Sequence, residues 1–344
     1  MATGRRRVPR LSAPPARAVS PWRCLPPPPD DVSLDTSIVP WLLDADPAIR
    51  WQVYRDLLDD HEAAAKARDR VAHEGWGARL LELQDPEGTW ASALYSPKWT
   101  STTYTLLLLH HFGLSGHHPA VARGVGILVD RARELGGGLT FARTIPYPET
   151  CITAMIVLMA SWSGMDHPRI ERAIEWLSSE QMPDGGWNCE RLRSGSSHGS
   201  FHTSITVLEA LGERSGRIPD PRLEEAMAAG RRFFLDHRLY HSHRTGQVAD
   251  PAFTLFSFPP YWHFDALRGL DHFRASNAMR DPALAPAIDL VGRHRTADGR
   301  WPLQNVHRNR TWFDMERGGR PSRWNTLRAL RVLRWWEGNG SAPG

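Results

Sequence analysis

The heptapeptide that decides the fold is QMPDGGW, residues 181–187. Two further segments share its pattern: QDPEGTW at residues 84–90 and RTADGRW at residues 295–301. In each segment an acidic residue and a glycine are followed by a tryptophan, and each lies at the end of a predicted helix. The glycine is suited to end the helix at positive φ, and we expect the tryptophan to pack the turn against the neighbouring repeat.

A second repeated signal is a series of short predicted helices that begin near Trp, Phe or Pro, with Thr, Asn or Asp close to their starts. Successive starts are about 50 to 60 residues apart, which leaves room for a helical hairpin in each repeat. No segment predicts a convincing strand. The predicted helices span residues 99–111, 148–161, 201–211, 262–273 and 324–336, with a sixth at 46–58.

These helices are apolar over most of their surface, as the segment ITAMIVLM at residues 152–159 illustrates. A helix that is hydrophobic all round is buried, so it needs neighbours on every side. Stacked hairpins can form an open solenoid or close into a ring. The apolar surfaces favour the closed form, an all-α, double-layered α/α toroid of five to six helical hairpins.

The domain boundaries follow from composition. Residues 1–31 are rich in Arg and Pro and include four consecutive prolines at 26–29, so we expect a disordered tail. Residues 32–338 are predicted to form a single toroid domain, and residues 339–344 a flexible C-terminus.

Composition excludes several classes of protein. The longest apolar run of the 344 residues is about half a membrane span, which argues against a transmembrane protein. The net charge is +4, but the arginines are spread along the chain, so nucleic-acid binding is not expected. Three widely spaced cysteines make no disulfide framework, and no apolar segment follows the N-terminal arginines. The sequence therefore predicts a cytoplasmic protein.

The Gln-x-x-Asp-Gly-x-Trp pattern resembles the QW motif of squalene and hopene cyclases, whose α/α-toroid fold is shared by the β subunits of protein prenyltransferases. The resemblance covers most of residues 35–336, with Arg295 replacing Gln in the third copy. It implies an isoprenoid or other apolar substrate in a central cavity. The Asp-x-Asp-Asp acid of the cyclases is missing, since DLLDD at 56–60 has a different spacing, so complete squalene-type cyclisation is not expected.

The resemblance to prenyltransferase β subunits centres on their zinc site. Those proteins bind zinc through an Asp-x-Cys pair at the start of one inner helix and a His at the start of the next. The matching positions here are Glu149 and Cys151, followed by His202. Glu replaces Asp, and neither the partner α subunit nor the diphosphate-binding residues can be mapped.

A separate geometric argument points to the same place. The inner helices of a toroid run in one direction, so their N-termini meet at one mouth of the cavity. Thiolate, imidazole and carboxylate groups there are typical zinc donors. The alternative is that these residues are buried thiols and helix caps. The expected metal ligands are Cys151, Cys189, His202 and Asp265 (or His263), and the expected catalytic residues are His263, Asp265 and Glu149.

Aromatic side chains near the same helix starts could line the cavity and stabilise carbocations through their faces. They could equally be packing residues. The candidates for the cavity wall are Trp99, Tyr147, Phe201, Trp262 and Phe264, together with Asn325.

Two functions from different classes remain open. One is an enzyme that performs prenyl transfer or a cyclase-like rearrangement on an isoprenoid, with zinc as a possible cofactor. The other is a toroid that serves as a binding module for an apolar ligand or a partner protein. An enzyme requires convergent ionisable groups in the cavity, whereas a binder could present only aromatic and aliphatic side chains.

Overall fold

The computed structural model describes residues 37–338. The expected tail at 1–31, the first five residues of the expected domain and the expected C-terminal segment at 339–344 lie outside the described residues. All described residues belong to one of the two units into which the chain divides, the unit from Leu34 onward.

The described part of the chain is predominantly helical, which confirms the all-α prediction at the level of secondary structure. Short 3₁₀ turns occupy Arg70–Ala72, Pro251–Thr254 and Pro282–Leu284. The α-helices of residues 37–338 are α1 (Ile38–Leu43), α2 (Pro47–Asp56), α3 (His61–Asp69), α4 (Gly75–Glu82), α5 (Thr102–Phe112), α6 (Pro119–Arg131), α7 (Thr150–Trp162), α8 (Pro168–Ser179), α9 (Arg191–Ser194), α10 (Phe201–Arg217), α11 (Pro221–Asp236), α12 (Ala266–Ala275), α13 (Ala285–Arg293) and α14 (Arg323–Glu337).

Two small antiparallel hairpins interrupt the helices, which the sequence did not predict. The strands β1 (Arg133–Leu135) and β2 (Gly138–Thr140) pair with each other, as do β3 (Trp301–Pro302) and β4 (Pro321–Ser322). Strands of two or three residues are too short to leave a periodic signal. Gly136 and Gly137 form the turn of the first hairpin with φ of 61° and 99°, values that glycine adopts without strain.

Six helices match the predicted inner series: α2, α5, α7, α10, α12 and α14. Their contacts form a closed circuit, since α2 packs against α5, α5 against α7, α7 against α10, α10 against α12, α12 against α14, and α14 against α2. The intervening helices complete hairpins with them, because α6 packs on α5 and α7, α8 on α7, α11 on α10, and α13 on α12 and α14. Every residue of α7 except Cys151 and Trp162 is buried, as its apolar sequence requires.

The three QW turns share one geometry. Their tryptophans are completely buried, and each indole Nε1 donates a 2.7 Å hydrogen bond to a carbonyl of the preceding helix. Each tryptophan N–H also donates to a hydroxyl on the following inner helix, at 2.9 to 3.0 Å. The indole pairs are Trp90 with Leu80, Trp187 with Leu177, and Trp301 with Val291. The tryptophan therefore ties the helix before the turn to the helix after it, as expected from the sequence.

The glutamine of the QW turn has its own bonds. Gln181 Nε2 donates to the carbonyls of Gly185, within the turn, and of Ala226, on α11, both at 2.8 Å. Gln84 makes the equivalent pair, to Gly88 and to Ala120 on α6, both at 2.9 Å. In these two turns the glutamine side chain thus hydrogen-bonds the turn to the next outer helix in the sequence.

Among the helices of residues 37–338, none combines the length and the apolar composition needed to cross a membrane.

Candidate functional site

Two pockets lie among the inner helices. The first, the mouth pocket, has a volume of about 400 Å³ and lies beside the start of α12. The second, the central cavity, has a volume of about 520 Å³ and is walled by residues of α2, α5, α7, α10, α12 and α14. The mouth pocket is lined by Lys98, Trp99, Trp262, His263, Asn305, Val306, His307, Arg308 and Asn309.

Stacked rings dominate the mouth pocket. The ring of His263 lies between Trp262, at a centroid distance of 3.8 Å, and His307, at 3.6 Å. The Lys98 ammonium lies 5.0 Å from the centroid of Trp262, within the range of a cation–π contact. Of the residues expected at the mouth or the cavity wall, Trp99, Trp262 and His263 line this pocket. His307, which belongs to the loop between β3 and β4, gave no sequence signal.

The imidazoles of this region are neutral at physiological pH. Burial lowers the pKa of His263 to about 3, and the adjacent His307 and His202 add to the effect. Burial also lowers the pKa of His202 and of His307 to about 4. The Nδ1 of His202 accepts a 2.8 Å hydrogen bond from the Phe264 N–H, which leaves Nε2 to carry the proton of the neutral ring.

The two cysteines expected to bind zinc do lie together. The Cys151 N–H, in the first turn of α7, donates to the Sγ of Cys189 at 3.0 Å. Both thiols are half-buried and free of any disulfide. They lie beside Tyr95, whose pKa is raised, chiefly by burial and further by Cys151.

The acidic candidates serve as structural groups. Asp265 is 1% exposed and caps α12, accepting from the Arg268 N–H at 2.8 Å and from the Ser257 hydroxyl at 2.8 Å. Glu149 precedes α7, and its Oε2 accepts from the Thr140 hydroxyl at 2.5 Å. The Asp265 contacts match the capping alternative, whereas the Glu149 side chain makes no capping hydrogen bond and binds the Thr140 hydroxyl instead.

The expected zinc site is therefore incomplete. Cys151 and Cys189 are adjacent, but the oxygens of Asp265 are engaged in the α12 cap and His202 binds a backbone amide. Within residues 37–338, no three His, Cys, Asp or Glu side chains are close enough to hold a metal ion together. The donors placed here do not fit a tetrahedral zinc centre.

Four of the six residues expected to form the cavity wall lie elsewhere. Phe201 and Phe264 belong to an aromatic cluster with Phe253, their rings 5.0 to 5.4 Å apart, and they pack between helices instead of facing either pocket. Asn325 is fully buried and donates to the carbonyls of Phe256 and Pro302. Tyr147 is half-buried and lines neither pocket. These placements correct the prediction for four of the six residues.

The central cavity has an aromatic and aliphatic wall on one side. Tyr261 and Phe258 come from the loop before α12, and Trp324 from the start of α14. Phe258 and Trp324 stack with a centroid distance of 3.9 Å. The buried Trp324 Nε1 has no hydrogen-bond partner and forms part of the cavity wall. Leu107, Met155 and Leu208 extend this wall along α5, α7 and α10.

The other side of the cavity is charged. Arg268 pairs with Glu209 through a 2.9 Å bond from Nε to Oε1. Arg331 pairs with Asp271 and donates to the Oδ2 of Asp56 at 2.9 Å. The lining as a whole contains six arginines and three carboxylates: Arg55, Arg68, Arg268, Arg274, Arg328 and Arg331 against Glu209, Glu213 and Asp271.

The arginines hold the carboxylates in the ionised form. Burial alone would raise the pKa of Asp271, but Arg331 and Arg274 overcome it and bring the pKa well below its usual range. Burial likewise opposes ionisation of Glu209, and the Arg268 guanidinium lowers its pKa despite that. With three carboxylates against six guanidinium groups, the cavity side chains carry a net positive charge.

Two imidazoles lie beside this network. Burial lowers the pKa of His111 to about 3 and that of His272 to about 4, so both rings are neutral at physiological pH. The Nε2 of His272 is buried and has no hydrogen-bond partner. The cavity therefore combines fixed cations with neutral imidazoles that are poor proton acceptors in the absence of a ligand.

The cavity opens near the C-terminal ends of the inner helices, where the exposed lining residues Arg68, Ala275 and Ser276 lie. The carbonyl ends of helices carry partial negative charge and favour cations. The dipoles of several inner helices thus favour guanidinium groups at this end.

These residues were not among the candidates from the sequence, because they lie away from the N-terminal ends of the inner helices or, like Arg268, within the first turn of a helix. The spacing of the charged residues on α12 and α14 is a sequence signal that could have indicated them. Arg268 and Asp271 on α12, and Arg328 and Arg331 on α14, are spaced three apart on helices with mostly buried faces. Charged side chains at that spacing share one face of a helix, and in a ring of buried helices that face can border the cavity.

Comparison with known proteins assigns no family. No family model matches the chain, and no curated protein matches it. Among solved structures, the chain is similar to the type II terpene cyclase MstE from Scytonema in its apo form, with 12% sequence identity and a TM-score of 0.32. The match covers 78% of this chain and 96% of the cyclase. A likeness at this level assigns neither a fold nor a function.

Proposed function

We propose that the chain is an α/α toroid that acts as a terpenoid cyclase-like or prenyltransferase-like enzyme. Its substrate is an isoprenoid, or a similarly apolar molecule, that also carries an anionic group. The substrate's chain lies against the aromatic wall of the central cavity, and its anionic group binds the arginines near the opening. The closed circuit of contacts from α2 to α14 and back supports the toroid.

One observation carries this proposal: the central cavity is amphipathic. Aromatic rings of Phe258, Tyr261 and Trp324 form one part of the wall, and six arginines exceed three carboxylates on the other. Its volume of about 520 Å³ lies within the range of small-molecule sites, roughly 300 to 1,000 Å³. Neither a purely apolar ligand nor a purely ionic one would satisfy both sides.

The charge state of the cavity favours one way of starting the reaction. A carboxylic acid that protonates an alkene must remain protonated, and such groups normally have raised pKa values. Here the pKa values of Glu209, Glu213 and Asp271 are all lowered. Initiation by loss of an anionic leaving group suits the cavity better, because guanidinium groups stabilise the charge that develops.

The remaining steps can use side chains already in place. When the carbon–oxygen bond of an allylic diphosphate breaks, the diphosphate leaves with the electron pair and the carbon chain becomes a cation. The faces of Tyr261 and Trp324 stabilise that cation. The cation then loses a proton to the neutral His111, or it is captured by a nucleophile. A carbocation is acidic enough for an imidazole of low pKa to act as the base.

Binding measurements with farnesyl diphosphate and farnesol test the proposal directly. We expect calorimetry to show farnesyl diphosphate binding at least tenfold more tightly than farnesol, a difference of about 1.4 kcal/mol. The Arg68→Gln variant should lose most of that difference. Arg70→Gln is the matched control, because Arg70 is exposed, pairs with Glu74 and does not line the cavity. Equal affinities for the two ligands, or no binding of either, would overturn the proposal.

The alternative of a non-catalytic binding module has one observation in its favour. The cavity carboxylates are all engaged: Glu209 by Arg268, Asp271 by Arg331 and Arg274, and Glu213 by His110. Incubation with farnesyl diphosphate distinguishes the two functions. Release of diphosphate together with a new hydrocarbon or alcohol identifies an enzyme, whereas recovery of the bound ligand unchanged identifies a binding module.

A further inference from the structure

The cysteine pair is separated by 38 residues in sequence and joined in space. Cys151 is the second residue of α7, and Cys189 follows the turn that ends at Trp187. The Cys151 N–H donates to the Cys189 sulfur at 3.0 Å, and the neighbouring thiol is the largest influence on the pKa of each cysteine. The two thiols therefore lie next to each other.

The surroundings shift the pKa values of the two thiols in opposite directions. The neighbouring Cys151 thiol lowers the pKa of Cys189 against the effect of burial, and the Thr203 hydroxyl and the Cys151 N–H lower it further. The Thr203 hydroxyl oxygen also accepts a 3.3 Å hydrogen bond from the Cys189 N–H. The neighbouring Cys189 thiol, with burial, raises the pKa of Cys151. The N-terminus of α7 adds a partial positive charge, while Glu149 opposes ionisation of both thiols. Cys189 is thus the better nucleophile and Cys151 the proton donor.

We infer that Cys189 and Cys151 form a redox-active dithiol in which Cys189 is the thiol oxidised first, by a hydroperoxide, and Cys151 is the resolving thiol. The inference goes beyond the proposed function, since neither sulfur lines the central cavity. It rests on the 3.0 Å hydrogen bond from the Cys151 N–H to the Cys189 sulfur, which brings the two thiols together at the start of α7, and on the partial exposure of both cysteines next to the exposed Glu190.

The chemistry balances in two steps. The Cys189 thiolate attacks the terminal oxygen of the hydroperoxide, the O–O bond breaks, and protonation of the leaving oxygen gives an alcohol (water, from hydrogen peroxide) and a sulfenic acid. The sulfur of Cys151 then attacks the Cys189 sulfur, the S–O bond breaks, and the hydroxyl leaves as water with the Cys151 proton. The two thiols lose two electrons, and the hydroperoxide accepts them.

Oxidation would add a covalent link across one hairpin. The disulfide would join the start of α7 to the turn before α10 and enclose all of α8 (Pro168–Ser179). A cross-link that closes a loop of this length restricts the unfolded chain and raises stability. The oxidised protein should therefore melt at a temperature several degrees higher than the reduced protein.

The test uses the full chain in a Cys24→Ser background, so that only this pair can react. One equivalent of hydrogen peroxide should lower the intact mass by about 2 Da, the two hydrogens lost on disulfide formation. Peptide mapping without reductant should then show the Cys151–Cys189 link. The Cys151→Ser variant should stop at the sulfenic acid, which dimedone traps on Cys189. The Cys189→Ser variant should react at least tenfold more slowly.

Three results would overturn the inference. One is an unchanged intact mass after peroxide treatment of the Cys24→Ser protein. Another concerns the rates of dimedone labelling in the two single variants. If Cys151 in Cys189→Ser is labelled as fast as Cys189 in Cys151→Ser, Cys189 is not the thiol that is oxidised first. The third is one zinc ion per chain, found by elemental analysis, that must be removed before the pair oxidises. A Thr203→Val variant, which keeps both thiols, should react more slowly than its parent.

Discussion

Trp99 and Tyr261 stack with their ring centroids 4.0 Å apart and their planes within 8° of parallel, and both residues have positive φ, 72° and 50°. Each is almost completely buried. A non-glycine residue at positive φ costs of order 1 to 3 kcal/mol, so it persists only where its surroundings fix it. Trp99 lines the mouth pocket and Tyr261 lines the central cavity, so the stacked pair forms the partition between them.

Removing the Tyr261 ring tests how much the stacked pair contributes to the stability of the protein. We expect Tyr261→Ala to lower the free energy of unfolding by about 3 kcal/mol, because it deletes a buried aromatic ring and leaves a void. Tyr261→Phe keeps the ring and should change stability by less than about 1 kcal/mol. Urea denaturation of the three proteins measures both values. A similar loss in the two variants would show that the hydroxyl, and not the stack, is the stabilising group.

The QW turns offer an internal comparison at their first position. Gln181→Ala removes two hydrogen bonds and leaves the carbonyls of Gly185 and Ala226 without that donor, so we expect a loss of about 2 kcal/mol. Arg295 occupies the same position in the third turn, where its guanidinium lies 5.7 Å from the ring centroid of Trp301. Arg295→Ala should cost less than about 1 kcal/mol. The denaturant midpoints of the two variants show whether Gln181 stabilises its turn more than Arg295 stabilises the third turn.

The buried network around Asp271 should be sensitive to loss of one charge. Asp271→Asn leaves Arg331, Arg274 and Arg328 without their shared carboxylate, and breaking a buried pair in this way costs about 3 to 5 kcal/mol. Asp289→Asn, at an exposed position of α13, is the control and should be nearly neutral. Thermal and urea unfolding measure the difference, and equal stabilities would show that the three arginines are satisfied without Asp271.

The lowered pKa of Asp271 also fixes the sign of its pH dependence. The native carboxylate stays ionised at a pH where the unfolded one takes up a proton, so its stabilisation is present above about pH 4 and is lost as the pH falls further. The difference in unfolding free energy between wild type and Asp271→Asn should therefore shrink in acid.

The neutral imidazole of His111 predicts a second pH dependence of the free energy of unfolding. His111 has a native pKa of about 3, whereas an unfolded histidine has a pKa of about 6.5. Below pH 6.5 the unfolded state binds the extra proton, so stability falls as the pH is lowered towards 3. The His111→Gln variant should lose about 2 kcal/mol less than wild type between pH 6.5 and 4.5. His61→Gln, at an exposed helix start, should follow wild type in chemical denaturation across that range.

The features that could be predicted from the sequence are those set by local pattern. Glycine at positive φ followed by a buried tryptophan is a local signal, and it correctly placed the turns at Trp90, Trp187 and Trp301. Five of the six inner helices lie within about four residues of their predicted bounds for the same reason, and α10 runs to Arg217, six residues past its predicted end. Trp262 and His263 were named from the sequence because they stand where the predicted helix at residues 262–273 begins, whereas α12 itself begins at Ala266.

The features that could not be predicted depend on contacts between distant segments. His307 reaches the mouth pocket from a loop whose path no periodicity encodes. The engagement of Asp265 with Ser257, and of His202 with the Phe264 amide, removes both from the expected zinc site. Spacing along the chain identifies which residues share a helix end, but it does not reveal which of them already have partners.

The contact between Arg331 and the α2 residues Gln52 and Asp56 links positions separated by 279 and 275 residues. During synthesis, α2 leaves the ribosome long before α14 exists. Until the last helix emerges, the nascent chain keeps the carboxylate of Asp56 and the apolar face of α2 without their final neighbour. The contact between α14 and α2 therefore has to wait until α14 has been synthesised, and a chain stopped short of α14 would expose the apolar face of α2 to chaperones and proteases.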